Sequence, residues 1–278
     1  MRTGIDVDRF LSDASHRLRA PLPDYHGDLR VGIDLGTATI VLTVVDALDR
    51  PVFLDFRREA AVRDGVVVDF HAATDATAAL KGSAEAALGV RLTEAAAAYP
   101  PGVPEADARA CRFVVERAGF VCVGLTDEVT AAQALLRLRD GAIADVGGGS
   151  TGVGMYRDGE LVSLDDLPGG GHHLNLILAG AKKISVEEAE ELKRTNTNDF
   201  LSVLRPGIER VAHNIDRLLP TRPDGPIHLV GGALMVPGAG AVVAKYLGHD
   251  VVEYPHALLI TPFGIALSIA DATSGALY

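Results

Sequence analysis

Asp145-Val146-Gly147-Gly148-Gly149-Ser150-Thr151 is the stretch around which the chain is organised. It follows the apolar run Gly141-Ala142-Ile143-Ala144 and precedes Thr151-Gly152-Val153-Gly154-Met155-Tyr156. The pattern predicts a turn joining two strands, with a carboxylate at the end of the first. Three consecutive glycines let the backbone take positive φ and turn its N–H groups toward one point, and the missing side chains let a bulky anion come close. The stretch reads as a phosphate cradle; a glycine-rich hairpin without a ligand is the alternative reading.

A second copy of the design lies upstream. Val31-Gly32-Ile33-Asp34-Leu35-Gly36-Thr37-Ala38-Thr39 is again an apolar strand, an Asp, a glycine turn and hydroxyls, followed by the strand Ile40–Asp46. Two such hairpins, roughly one subdomain apart, can grip a polyphosphate from both sides, with Asp34 and Asp145 flanking a metal. A chain built twice from this unit resembles the actin, Hsp70 and sugar-kinase superfamily, whose phosphate loops read D-x-G-T-x and D-x-G-G-G-[ST]. The resemblance implies an α/β fold of duplicated ribonuclease-H-like subdomains with mixed five-stranded sheets and a nucleotide cleft between them. It divides the chain into an amphipathic arm (1–28), a first subdomain (29–140), a second (141–260) and a connecting helix (261–278) that returns to the first.

Composition agrees. At 278 residues the chain exceeds the roughly 250 at which single cores tend to split, and 48% hydrophobic content can fill two cores. A net charge of −11 disfavours a nucleic-acid partner, which needs clustered Lys and Arg. No apolar run approaches the roughly 18 residues of a membrane span, and Met1-Arg2-Thr3-Gly4-Ile5-Asp6 lacks the apolar core of a signal peptide, so a cytoplasmic protein is expected. Cys111 and Cys122 show no metal-site or redox spacing and read as small core residues.

Along the chain, Ile5, Phe10, Leu11, Ala14 and Leu18 form an apolar stripe on a helix from about Asp6 to Arg19. This arm either packs on the domain or serves as an address for a partner groove. A strand at 52–56 follows the first hairpin, Asp64-Gly65 forms a tight turn, and an alanine-rich helix spans His71–Leu88. A strand from Leu92 to Ala98, a helix from Pro104 to Gly119 and a strand from Phe120 to Gly124 then make a βαβ unit. Leu125–Ala132 opens a helix reaching Leu138, with Glu128 at its N-terminus as a cap. In the second half, Ser185-Val186-Glu187-Glu188 is a capping box, a helix from Asp199 to Leu219 is interrupted near Pro206, and Ile227–Pro237 reads as strand, glycine turn and helix start.

The superfamily resemblance assigns further roles. Leu125–Ala132 resembles the E-P-x-A-A connecting segment, which makes Glu128 the group that orients an attacking water. Pro168-Gly169-Gly170-Gly171-His172-His173 resembles a G-G-x-x segment near the ribose and phosphates, so Gly170 and Gly171 give backbone contacts; for the two histidines as metal ligands, adjacent side chains diverge and no third ligand is evident. Ala189-Glu190-Glu191-Leu192-Lys193 resembles A-E-x-x-K, where Glu190 and Lys193 contact adenosine, although the pair also reads as a surface ion contact. Gly231, Gly232 and Ala233 match the adenosine motif L-x-G-G-x-x-x-x-P, with Ala233 and Met235 where Ser and Arg are usual.

Within the superfamily the chain resembles the ethanolamine-utilisation protein J family. The matching segments are Gly32 to Thr37, Val62 to Phe70, Ala96 to Pro101, Asp145 to Gly152, Gly170 to His173 and Glu187 to Arg194. The resemblance implies a chaperone-like ATP-binding protein and slow ATPase. Its client would be an ethanolamine ammonia-lyase or a component of a bacterial microcompartment, where the protein itself would also be found. ATP would bind with Mg²⁺, its phosphates on Gly36, Thr37, Ala38 and Gly147, Gly148, Gly149, Ser150. Asp34 and Asp145 would hold the metal largely through its waters, and Glu128 or Asp145 would align the water for in-line attack. An actin-like filament subunit, a small-molecule kinase and a scaffold that only binds nucleotide are the competing readings.

Overall fold

The structure is a computed structural model that describes residues 5–59, 61–63, 66–195 and 200–274. The chain divides into two units, one running through Arg137 and taking in residues from Leu259 onward, the other spanning Leu138–Leu258.

In the first unit, α1 (Val7–Ser15) is capped by Asp6, whose side chain accepts from the amide of Arg9. This helix ends four residues before the expected Arg19. Beyond it the chain turns, with Arg19 at φ +52°: Leu18 bridges Leu54 and is 45% exposed, while the amide of Arg19 donates to the carbonyl of Leu54 and that of Leu22 to Val52. β1 (Arg30–Leu35), β2 (Thr39–Val45) and β3 (Pro51–Arg58) then make an antiparallel meander. The two-residue strands β4 (Val62–Arg63) and β5 (Val66–Val67) pair with each other; the expected turn at Asp64-Gly65 lies outside the described residues. Next come α2 (Phe70–Leu88), β6 (Glu94–Tyr99), α3 (Glu105–Arg117), β7 (Val121–Asp127) and α4 (Glu128–Leu136). α2 is stopped by Gly89 in the left-handed conformation, φ +69°, as helix ends favour. β7 runs three residues further than expected, so α4 begins at Glu128 rather than Leu125. Asp127 caps it: its Oδ1 accepts from the amide of Thr130 at 2.7 Å, and Glu128 is the first helical residue instead of the cap.

The sheet order is β3-β2-β1-β6-β7, with β1, β6 and β7 parallel. One face buries Ile33, Leu42, Val44, Leu80 and Val114. The other packs against α4 and α9 (Ile260–Ser274), and the approach is close. A Cβ on Gly32 would lie 2.7 Å from the amide nitrogen of Ala266, and one on Gly264 would overlap the carbonyl of Ala131. Thr43 donates to the carbonyl of Pro262 at 2.7 Å on the same face.

The second unit repeats the plan. β8 (Gly141–Val146), β9 (Ser150–Arg157) and β10 (Glu160–Pro168) form the meander; α5 (Gly171–Lys182), α6 (Val186–Thr195) and α7 (Leu201–Leu218) follow, then β11 (Ile227–Val230), α8 (Ala239–Leu247) and β12 (Val251–Val252). The order β10-β9-β8-β11-β12 matches the first sheet strand for strand, and β8, β11 and β12 are parallel. Two mixed five-stranded sheets are therefore present, as expected. Leu204, Ile208, Val211 and Ile215 of α7 pack with Ala142, Ala144 and Val146 of β8. That buried stripe carries α7 unbroken through Pro206, against the expected interruption, although proline removes one helical hydrogen bond. The expected start of α7 at Asp199 lies outside the described residues. After β11 the chain makes turns, and α8 starts only at Ala239 rather than near Pro237. The capping box before α6 is complete: the Ser185 amide donates to Glu188 Oε2 at 2.9 Å, and the Glu188 amide to Ser185 Oγ at 3.1 Å. No helix among the described residues is long and apolar enough to cross a membrane.

Candidate functional site

In the second unit the parallel strands β8 and β11 end side by side, with Asp145 paired to Val230 in register. The carboxyl ends of parallel strands are where open α/β sheets hold ligands. Asp145 is 5% exposed. Gly231 follows Val230 at φ +82°, and a Cβ there would lie 2.6 Å from Asp145 Oδ1 and 2.5 Å from the carbonyl of Val146. The amide of Ala233 donates to that same carbonyl at 3.1 Å. The turn after β11 is thus seated on the end of β8.

The glycine turn between β8 and β9 is held by its carbonyls. Gly147 accepts from the Gly171 amide at 2.9 Å, Gly148 from His172 at 2.9 Å and Gly149 from Gly169 at 2.8 Å. In a planar trans peptide the N–H points opposite the C=O. The amides of Gly148, Gly149 and Ser150 therefore turn to the other side of the loop, the arrangement of an anion nest. Gly170 makes the contact possible, because a Cβ there would overlap the carbonyl of Gly147. Two buried side chains brace the partner segment: Thr151, the last residue of the glycine motif, donates its Oγ1 to Gly169 O at 2.6 Å, and Asn214, which no sequence motif marks, donates Nδ2 to Pro168 O at 3.1 Å.

α6 brings its own groups to this point. Lys193 Nζ donates to the carbonyl of Gly171 at 3.4 Å, and a Cβ on Gly171 would lie 3.5 Å from that Nζ and 3.4 Å from the Cβ of Ala233. Burial lowers the Lys193 ammonium below the usual lysine value; the Glu190 carboxylate opposes the shift and Arg194 adds to it. Glu190 Oε2 accepts a long, 3.5 Å hydrogen bond from Asn175 Nδ2. Gly147–Gly149, Gly170, Gly171, Ala233 and Lys193 thus lie together at the ends of β8 and β11, with Glu190 on the same helix as Lys193.

The first unit has the same construction at the ends of β1, β6 and β7. Asp34 pairs with Ala98, and Tyr99 with Asp127, so Asp34 and Glu128 stand at one edge of the sheet. In the turn Gly36-Thr37-Ala38, a Cβ on Gly36 would lie 2.9 Å from the Thr39 carbonyl. Both carboxylates are felt by Cys111: burial pushes its thiol up to about 12, with Glu128 and then Asp34 adding. Such a thiol is no nucleophile.

Asp34 belongs to the first unit and Asp145 to the second. Among the described residues no group of three or more His, Cys, Asp or Glu could hold a metal by itself. His172 and His173 are both exposed, their rings 6.4 Å apart and nearly perpendicular.

Two sheets of identical strand order, each with a glycine turn between its first two strands, define a protein with the actin-like fold. MreB5 of Spiroplasma citri, in its structure bound to ADP, superposes with a TM-score of 0.72 at 16% identity, covering 89% of this chain and 99% of that one. The ethanolamine utilization protein EutJ of Salmonella typhimurium is 36% identical over 241 residues, 86% of this chain and 85% of that protein. The crystal structure of EutJ from Carboxydothermus hydrogenoformans superposes with a TM-score of 0.87 at 38% identity, covering 94% and 98% of the two chains. No protein-family model matches the chain. The chain belongs to the ethanolamine utilization protein EutJ family.

Proposed function

We propose that the chain binds Mg-ATP and hydrolyses it slowly, and that the nucleotide state governs its action as a chaperone-like partner of a protein client in ethanolamine utilisation. The observation that carries the nucleotide reading is the pinning of three successive carbonyls, Gly147 to Gly149, by the 169–172 segment. It turns the loop amides toward an anion while Lys193 supplies a cation beside Gly171. The glycines at 170 and 171, which let the segment close on the loop, and the half-buried Lys193 ammonium support a nucleotide with its sugar near Glu190 and Lys193.

Mg²⁺ neutralises phosphate charge and, because it dehydrates reluctantly, keeps several waters and takes few protein ligands. Asp34, in β1, and Asp145, in β8, are each proposed for that role from the family resemblance. Glu128, at the start of α4, is assigned the alignment of the attacking water. The client, an ammonia-lyase or a microcompartment component, is proposed from the family alone.

Phosphate release from Mg-ATP by the wild type and by Glu128→Gln tests the hydrolysis. The reading requires turnover in the wild type and a loss of about a hundredfold in the variant, with ATP binding kept. Binding without turnover in the wild type would make the chain a nucleotide-responsive scaffold instead.

A further inference from the structure

The first unit carries an apolar patch that its own fold leaves open. On α3, Phe113 is 54% exposed in mid-helix. Beside it β7, the last strand of its sheet, exposes Val121 and Val123 at 60% and 39%. The helix and the strand edge meet here: Arg112 of α3 donates through Nη1 at 3.2 Å to the carbonyl of Cys122, between the two valines. Single exposed apolar side chains are ordinary, but a contiguous group rimmed by charge marks a contact surface, and Phe and Arg are residues that interfaces favour.

The rim is basic. Arg109 and Arg117 lie one helical turn to either side of Phe113, on its face of α3. With Arg112 they outnumber the neighbouring carboxylates among the described side chains, Glu116 on the helix and Glu94 opposite Val121, in a chain whose net charge is −11. A second copy of the chain does not suit such a face. Two α3 helices crossing antiparallel at Phe113 would set Arg109 of each against Arg117 of the other, like charge on like. An added strand does not suit it either. Ala95 pairs with Cys122 and Ala96 with Gly124, so Val123 is a bulge with no residue opposite, and Arg112 occupies the Cys122 carbonyl; both features blunt a sheet edge against further pairing. A helix that brings apolar side chains to Phe113 and the valines, and carboxylates to the arginines, meets both the surface and its sign.

We propose that this α3–β7 face docks an acidic amphipathic helix of a partner protein, with Phe113 as the central anchor and Arg109, Arg112 and Arg117 pairing with the partner's carboxylates. The face lies wholly within the first unit and uses no residue assigned to the nucleotide, so it stands or falls apart from ATP binding.

The probe is a fluorescein-labelled peptide of about 18 residues, long enough to hold a helix, with leucines on one face and glutamates and alanines on the other. Its control carries lysine in place of every glutamate. In anisotropy titrations the full chain should bind the acidic peptide at least about tenfold tighter than the lysine peptide, and Phe113→Ser and Arg117→Glu should each weaken that binding about tenfold. Both side chains are exposed, so folding should survive either change, with thermal unfolding as the check; if one variant unfolds, the other decides. No binding of the acidic peptide, equal binding of the two peptides, or an affinity that a folded variant leaves unchanged would overturn the proposal. So would a wild-type dimer in sedimentation that Phe113→Ser separates, because the patch would then belong to a second copy of the chain.

Discussion

A Cβ on Gly231 would lie 2.6 Å from Oδ1 of Asp145, so the second unit keeps its buried carboxylate at the end of β8 by keeping a glycine at the end of β11. The backbone there is also left-handed, φ +82°. Gly231→Ala should therefore cost about 1–3 kcal/mol of stability and weaken Mg-ATP binding at least about tenfold, because the displaced group is the proposed metal partner. Thermal unfolding and calorimetry on the same preparation check both. Wild-type affinity in a destabilised but folded variant would separate Asp145 from the ligand.

Lys193 links binding to pH. Burial holds its ammonium below the ordinary 10.5, so the free protein loses this charge before an exposed lysine would. A nucleotide anion favours the charged form. Affinity should hold at neutral pH and fall as pH rises through the lowered value. A charge-assisted bond of about 1.5–3 kcal/mol makes Lys193→Met roughly ten- to a hundredfold weaker, with that step in the pH profile removed. Titrations between about pH 7 and 10 show whether the two profiles differ; coincident profiles would take Lys193 out of the site.

His228 gives the fold an acid weakness. It is 9% exposed on β11, its Nδ1 bonds the Tyr254 hydroxyl at 2.5 Å, and burial lowers it to about 4 from 6.5. The unfolded chain then binds the proton more readily, so stability falls as pH drops from 6.5 toward 4 and is untouched above 6.5. The shift corresponds to at most about 3 kcal/mol. Urea midpoints at neutral and mildly acid pH should show a smaller acid loss in His228→Gln than in wild type.

The α4–α9 crossing in the first unit depends on Gly264. A Cβ there would overlap the Ala131 carbonyl, so Gly264→Ala must push α9 off α4. Overpacking of this kind costs about 1–3 kcal/mol and should lower the melting temperature by several degrees. An unchanged melting temperature would mean that the helices separate freely.

Much of the fold was legible because it is written twice in local chemistry. Asp34-Leu35-Gly36 and Asp145-Val146-Gly147 each follow an apolar strand and precede another, and the meander-plus-βα pattern follows from them. The Ser185–Glu188 box was readable because both bonds are made within four residues. Boundaries set by tertiary partners were not. Asp127 is both the last residue of β7, paired with Tyr99, and the cap of α4, and a sequence pattern cannot show which role places the boundary. Pro206 argued for a break that the buried face of α7 overrides. Asn175 and Asn214 stayed hidden because their meaning lies in contacts 15 and 46 residues away. A polar residue on an apolar helical stripe was the available signal.

The most direct test is titration of the wild type and Asp145→Ala with Mg-ATP by calorimetry, since the chain contains no Trp to report binding by fluorescence. Saturable one-site binding to the wild type, lost or weakened at least about tenfold in the folded variant, is the predicted result. A folded wild type that takes up no nucleotide would contradict the account and leave the actin-like fold as a scaffold.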